Sequence, residues 1–207
     1  MKGGRFNCYL EQGVRMGKPW QQQLGPDYKS PTEKVSVAEV DEYGKSTGKT
    51  VSVTYGNYDH FVKLAPLWQL QLYCHQCGYA PNVYGKFIES VRKGDFSGMT
   101  SGQMQMNFMK QVCDSTGINF VPFFEKAGLC IPVKMYVSDY SNGWLIITEG
   151  MIKELKDHVA AKGYPLPGAE VNYINALNWE IYAEKKPLQG TLNSGCTLSG
   201  TKVTVQH

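Results

Sequence analysis

The stretch "DHFVKLAPLWQLQLYCHQCG", residues 59–78, decides the fold of this chain. Apolar side chains occur on nearly every side of the helix that it would form: Phe61, Leu64, Leu67, Trp68, Leu70 and Leu72. A helix that is apolar all round is buried, so we expect a central helix with the rest of the chain packed about it. Pro66 suits either the first turn or a kink, and Gly78 suits a left-handed stop.

Three more helices are predicted directly after the central one. "NVYGKFIESVRKG" (82–94) has Asn82 as a possible N-cap, Gly94 at its end, and one apolar face made of Val83, Phe87, Ile88 and Val91. "TSGQMQMNFMKQVCDSTG" (100–117) carries apolar residues at i, i+4 and i+8, namely Met104, Phe108 and Val112. "NFVPFFEKAG" (119–128) is shorter. With short loops between them, these segments predict a helical bundle.

Strands are expected on both sides of this bundle. "KVSVAEVDEYGKSTGKTVSVTYGN" (34–57) alternates apolar and polar residues on either side of a turn, which is typical of a β-hairpin. "IPVKMYV" (131–137) is strand-like, and a second short strand leads to Thr148, the predicted N-cap of a helix carrying Ile152, Leu155 and Val159. "QGTLNSGCTLSGTKVTVQH" (189–207) is β-like.

The predicted fold class is therefore α+β, a central helical bundle with a β-hairpin near the N-terminus and short β elements at the C-terminus. We divide the chain into a connecting segment with the hairpin (1–57), a helical subdomain (58–185) and the start of a β-rich segment (186–207).

Composition excludes several classes of protein. The chain has 207 residues, of which 42% are hydrophobic and 19% charged, as expected of a folded globular protein. A net charge of +3 without a Lys/Arg block argues against nucleic acid as a partner. No apolar run approaches the ~20 residues of a membrane-spanning helix. Six cysteines in a chain of this length are too sparse for a disulfide scaffold.

Cys74 and Cys77 form a C-x-x-C pair within "YCHQCGY" (73–79). A reactive pair sits at the N-terminus of a helix, where the helix dipole lowers the thiol pKa. This pair comes at the predicted C-terminal end, and no second close pair supplies the further ligands of a zinc site. We therefore expect both thiols to be reduced, metal-free and packed in the core.

"GKSTGKT" (44–50) has three residues between its glycines, whereas a phosphate-binding P-loop has four and opens a helix. A hairpin turn is the better interpretation. The chain also contains no H-E-x-x-H, no G-x-S-x-G and no visible Ser-His-Asp set. We predict no catalytic and no metal-binding residue in it.

Four stretches, taken in order, resemble the helical C-terminal subdomain of the enhancin-like zinc metallopeptidases, peptidase family M60, in its mucin-degrading gut-bacterial branch. They are "FVKLAPLWQLQLYCHQCGY", "FIESVRKGDFSG", "NFVPFFEKAGL" and "ITEGMIKELKDHVAAKGYPLP", and the resemblance covers roughly residues 58–185. "FNCYLEQGVRMGK" (6–18) looks like the helix that follows the zinc ligands in such enzymes.

The resemblance implies the non-catalytic part of a secreted zinc metallopeptidase that acts on glycoproteins such as mucins. The family's zinc is held by the two His of H-E-x-x-H and a downstream Glu, and none of these maps onto this chain. Zinc is therefore implied only for a full-length family protein, no cofactor is expected here, and the chain alone is predicted to be inactive. A diverged homologue that has lost the motif is the other explanation.

In the family, the helical subdomain forms one wall of the substrate cleft. The residues expected to supply it here are His60, Trp68, Gln69, Gln71 and Tyr73. The implied partners are a glycoprotein or peptide substrate and the remaining domains of the parent protein, and the implied location is extracellular, cell-surface or periplasmic. The alternatives are a stand-alone glycan- or protein-binding module of a bacterial surface protein, and a structural domain.

Overall fold

The computed structural model describes residues 32–55, 60–94, 96–139, 141–183, 196–199 and 202–205. The helix predicted from residue 6 onward lies outside these ranges. The N-terminal hairpin pairs β1 (Glu33–Val40) with β2 (Ser46–Tyr55) in antiparallel register, with Val35 opposite Val53 and Val37 opposite Val51. Alternating valines share one face of each strand, so the hairpin prediction is confirmed. "GKSTGKT" covers the end of the turn and the first half of β2, with no helix after it.

The central helix is confirmed, in two parts. α1 (His60–Leu70) contains Pro66, and a π-helix (Gln71–Gln76) continues it directly. Ala65, Leu70, Leu72 and Cys74 are buried. Pro66 has no N–H to donate within the helix, and Gly78 ends the π-helix with a left-handed φ of +73°.

The remaining bundle helices are α2 (Val83–Lys93), α3 (Ser101–Thr116) and α4 (Val121–Lys126). Thr100 caps α3 with a capping box, its hydroxyl accepting from Gln103 N while the Gln103 side chain accepts from Thr100 N. Asn82 stands at the N-cap position of α2, but its backbone is left-handed (φ +64°) and its side chain makes no capping hydrogen bond. The bundle of at least four helices predicted for residues 59–128 is present.

Two predicted apolar faces are partly wrong. On α2, Val83 is buried, but Ile88 is 64% and Val91 39% exposed. Ile88 lies about 140° round the helix from Val83, because each residue adds about 100°. On α3, Met104 is 50% exposed, whereas the buried face is formed by Gly102, Met106, Met109, Val112 and Cys113. Residues spaced four apart do not stay on one line along a helix but move gradually round it. Val112, the last residue of the predicted series, is therefore on the buried face, whereas Met104, the first, is not.

A second hairpin and the last long helix complete the core. β3 (Val133–Asp139) pairs with β4 (Ser141–Ile147), and α5 (Glu149–Lys162) follows. Thr148 caps α5 by accepting from Met151 N at 3.2 Å, and Ile152, Leu155 and Val159 are buried, as predicted. A 3₁₀ helix (Ala169–Asn172), α6 (Trp179–Ala183) and the pair β5 (Cys196–Ser199) and β6 (Lys202–Val205) end the described chain. The α+β fold class is confirmed.

Helix α3 packs against β4 at unusually close range. A Cβ added to Gly102 would lie 1.7 Å from the carbonyl oxygen of Ile146 and 2.7 Å from its carbonyl carbon. Only a residue without a side chain permits this approach of two backbones, so Gly102 sets the distance between the helix and the strand.

Candidate functional site

The predicted wall residues lie along α1 and the π-helix, and the structure separates them into two groups. Gln69 and Tyr73 are buried, whereas Trp68 and Gln71 are partly exposed. For His60 the structure describes only its place as the first residue of α1. Of the wall residues whose side chains the structure describes, only the partly exposed Trp68 and Gln71 can contact a ligand that arrives from solvent.

Gln69 is 4% exposed, and its amide is used inside the protein. Its Nε2 donates to the carbonyl oxygens of Val171 at 3.3 Å and Ile174 at 3.4 Å. Both acceptors belong to the 3₁₀ segment and the residues just after it. A buried amide is costly to leave unpaired, so the two hydrogen bonds of Gln69 stabilise the packing of this segment against the central helix.

Tyr73 binds the same segment at its N-terminal end, at Gly168. Its hydroxyl accepts a hydrogen bond of 2.9 Å from Gly168 N, and its ring is 2% exposed. The ring stacks on Tyr79, with centroids 4.3 Å apart and planes 5° apart, and meets Phe120 edge to face at 5.9 Å. Burial raises the pKa of Tyr73, which keeps its phenol neutral.

Tyr79 and Glu170, which the sequence analysis did not select, complete this junction. Burial and a hydrogen bond from its hydroxyl to the Glu170 carboxylate raise the pKa of Tyr79 to about 12. A Cβ on Gly168 would lie 2.2 Å from Glu170 Oε1, so this glycine leaves room for the carboxylate. Both residues are partly exposed. No signal in the sequence other than position indicated them, since Tyr79 is the last residue of "YCHQCGY" and Glu170 follows "KGYPLPG".

The C-x-x-C pair lies at the end of the central helix, as predicted. Cys74 and Cys77 are both buried and free, and Cys77 Sγ donates to the carbonyl oxygen of Trp179 at 3.4 Å. Burial, and to a lesser degree Cys77, raises the pKa of Cys74 to about 12. A buried thiol with a raised pKa is a poor nucleophile and a poor metal ligand.

A polar cluster joins α3, α5 and the loop after α5. His158 Nε2 lies 2.9 Å and 3.0 Å from the two carboxylate oxygens of Asp114, and the Tyr164 hydroxyl donates to Asp114 Oδ1 at 3.2 Å. His158 also lines a groove of about 330 Å³ between α3 and α5. Among the described residues, no three His, Cys, Asp or Glu side chains stand close enough to hold a metal ion.

Two solved structures share the fold of this chain. One is a metallopeptidase from Bacteroides thetaiotaomicron and the other a metallopeptidase in complex with Tn antigen, each with a TM-score of 0.56 and 23% identity over 72% of this chain. A third, the M60 catalytic domain of Clostridium perfringens ZmpC in complex with the sialyl T antigen, has a TM-score of 0.40 at 21% identity over 72% of this chain and 24% of its own, which is too low to show a shared fold.

This chain has the fold of a part of these two metallopeptidases. It spans 31% of the Tn-antigen complex and 28% of the Bacteroides protein, about a third of their length. The resemblance drawn from the sequence is thus confirmed as a likeness of fold. No family model and no curated protein matches the chain. Within the described residues, no helix is both long and apolar enough to cross a membrane.

Proposed function

We propose that this chain supplies one wall of the substrate cleft of a zinc metallopeptidase that acts on glycoproteins. The observation that carries the proposal is the shared fold with a metallopeptidase in complex with Tn antigen, of which this chain corresponds to about a third. The zinc and its ligands belong to the rest of such a protein, and the chain alone neither holds catalytic zinc nor cleaves peptides.

Within this proposal the predicted wall residues have two roles. Trp68 and Gln71, which are partly exposed, contact the substrate directly. An indole offers an apolar face to a side chain or a sugar ring, and an amide both donates to and accepts from a peptide backbone. Gln69 and Tyr73 act as positioning residues, because their polar groups hold the segment 168–174 against the same helix. A contact of His60 with the substrate stays a prediction.

Support for an extracellular, cell-surface or periplasmic location comes from the substrate class. Glycoproteins such as mucins lie outside the bacterial cytoplasm, so a protein that binds them as substrates is located outside the cytoplasm as well. The other partners in this proposal are the remaining domains of the parent protein, which carry the zinc ligands.

Binding of a glycopeptide to the 207-residue chain tests the wall. A short Thr-containing peptide that carries Tn antigen is titrated by calorimetry into wild type, Trp68→Ala and Gln71→Ala. We expect weak binding that each variant reduces by about tenfold, which corresponds to roughly 1.4 kcal/mol of binding free energy. Gln111→Ala, the same truncation at a partly exposed position of α3, serves as the matched control and leaves the affinity unchanged.

Equal affinity in wild type, Trp68→Ala and Gln71→Ala would contradict the wall assignment. A comparison of proteolysis then tests the parent activity. The 207-residue chain and, where its gene encodes an H-E-x-x-H upstream of residue 1, the longer protein are incubated with mucin and added zinc. We expect chelator-sensitive cleavage by the longer protein alone, and cleavage by the 207-residue chain would overturn the proposal.

A further inference from the structure

A cleft of about 420 Å³ opens between the two β-hairpins. Its lining comes from β1 and β2 on one side, including Glu39, Val51 and Val53, and from β3 and β4 on the other, including Lys134, Tyr136 and Trp144. The volume falls within the roughly 300–1,000 Å³ of small-molecule sites. The proposed wall of the substrate cleft uses none of these residues.

The aromatic side of the cleft is held in place from both hairpins. Trp144 Nε1 donates to the carbonyl oxygen of Ala38 at 2.9 Å, across a sequence separation of 106 residues. The Tyr136 ring meets the indole edge to face, with centroids 5.6 Å apart and planes 81° apart. A partly exposed indole whose N–H is already used presents carbon to a ligand in a fixed orientation, which lowers the entropic cost of binding.

Charged groups at the cleft are oriented by the protein and balance each other. Glu39 Oε2 accepts from Thr47 Oγ1 at 2.7 Å, and Lys134 Nζ donates to the carbonyl oxygen of Val40 at 2.6 Å and lies 5.7 Å from the Trp144 ring centroid. A carboxylate accepts up to about four hydrogen bonds and an ammonium donates three, so both groups keep capacity for a ligand. One negative and one positive group favour a neutral ligand over an ion.

We propose that this cleft binds a neutral hexopyranose unit. A pyranose ring has an apolar face of C–H groups that packs on an indole, and hydroxyls round its edge that donate to a carboxylate and accept from an ammonium. Trp144 supplies the aromatic platform, Glu39 the acceptor and Lys134 the donor. The proposal goes beyond the proposed function, since the site lies on the two hairpins and shares no residue with the proposed wall.

The test follows the tryptophan signals of the 207-residue chain by fluorine NMR after labelling with fluorotryptophan. The chain has four tryptophans, and Trp144→Phe assigns the signal of Trp144. The probes are the methyl glycosides of galactose, N-acetylgalactosamine and glucose, with sorbitol as a polyol that has hydroxyls but no ring. We expect at least one glycoside to shift the Trp144 signal saturably, while sorbitol does not.

A matched pair of variants on β1 tests the polar contact. Glu39→Gln should lower the affinity for the sugar by about tenfold, as expected for the loss of a charge-assisted hydrogen bond. Glu33→Gln, an exposed position on the same strand, should bind the sugar like wild type. The Trp144 signal also reports that the cleft of each variant is intact.

Three results would overturn the proposal. They are a Trp144 signal that no glycoside moves, equal shifts with sorbitol, and unchanged affinity in Glu39→Gln. A shift caused by an unglycosylated peptide and by no sugar would assign the cleft to peptide binding instead. None of these results bears on Trp68 and Gln71, so failure here is distinguishable from failure of the proposed wall.

Discussion

The hydroxyl of Tyr73 accepts a hydrogen bond of 2.9 Å from the backbone N–H of Gly168, although 95 residues separate the two in sequence. Four positions before Tyr73, the amide of Gln69 donates to the carbonyls of Val171 and Ile174. The central helix therefore does more than fill the core, because its two buried polar side chains hold the segment that follows α5. The junction couples the shape of the proposed wall to the packing of residues 168–174.

Tyr73→Phe should destabilise the protein by about 1–3 kcal/mol, because it leaves the N–H of Gly168 without its acceptor while keeping the ring and its stacking on Tyr79. Urea unfolding followed by circular dichroism measures the loss. Tyr43→Phe, at an exposed position in the hairpin turn, is the control and should change stability by no more than about 0.5 kcal/mol. Equal stabilities of the two variants would show that the buried hydroxyl contributes nothing.

Gly102→Ala should destabilise the protein by about 3 kcal/mol, the upper end of the usual cost of overpacking. The new methyl group would lie 1.7 Å from the carbonyl oxygen of Ile146, and neither backbone can yield without moving α3 from β4. Gly150→Ala is the matched control in α5, where the nearest atom to an added Cβ is Thr148 Oγ1 at 3.7 Å. Helix propensity predicts that Gly150→Ala stabilises by up to about 1 kcal/mol. A thermal melt in which both variants gain stability would contradict the close packing.

Stability should fall as the pH rises from about 9 toward 12. Burial raises the pKa of Cys74 from an ordinary 9.0 to about 12, and those of Cys113 and Cys130 to about 11. In this window the unfolded chain releases thiol protons that the folded chain keeps, so unfolding is favoured by about 1.4 kcal/mol per pH unit for each thiol. Urea midpoints measured across this range give the slope.

Cys74→Ala provides the check on that slope. Its stability should fall less steeply between pH 9 and 12 than that of wild type, because the variant lacks the thiol proton that the folded wild type keeps and the unfolded wild type releases. Parallel curves for the two proteins would mean that Cys74 titrates alike in both states.

Glu170→Gln should lower the pKa of Tyr79 from about 12, without returning it to its ordinary value of 10.0. The carboxylate disfavours the tyrosinate by hydrogen bonding and by charge, and the neutral amide removes the charge, while burial, the larger cause, remains. Carbon-13 NMR of labelled tyrosine follows the titration. Glu180→Gln, at an exposed position of α6, should leave the Tyr79 titration where it is in wild type. An unshifted Tyr79 pKa in Glu170→Gln would show that Glu170 does not contribute to it.

Much of the fold could be predicted because its signals are local. Alternating valines predicted the first hairpin, Thr148 predicted the start of α5, and the all-round apolar run predicted the central helix. The errors at Ile88 and Met104 have one cause. A helix face is defined by the element packed against it, and an apolar residue just off that face looks the same in sequence as one on it.

The candidate site was harder to predict from residues alone. Sequence selected Gln69 and Tyr73 for their chemistry, but their partners are backbone groups of residues 168–174, which no local pattern indicates. Tyr79 and Glu170 were not predicted from the sequence for the same reason, since each acquires its role only beside the other. The three-segment division of the chain stays a prediction.

The sequence by itself determined the elements of this protein, because caps, glycine stops and the period of apolar residues act over a few positions of the chain. It also predicted the likeness to part of a metallopeptidase, through the order of its helical segments. Only the tertiary structure decided which polar groups meet, such as Trp144 with Ala38 across 106 residues and Tyr73 with Gly168 across 95. The physical reason is that such hydrogen bonds gain their strength from burial and alignment, and both are created when the elements pack together.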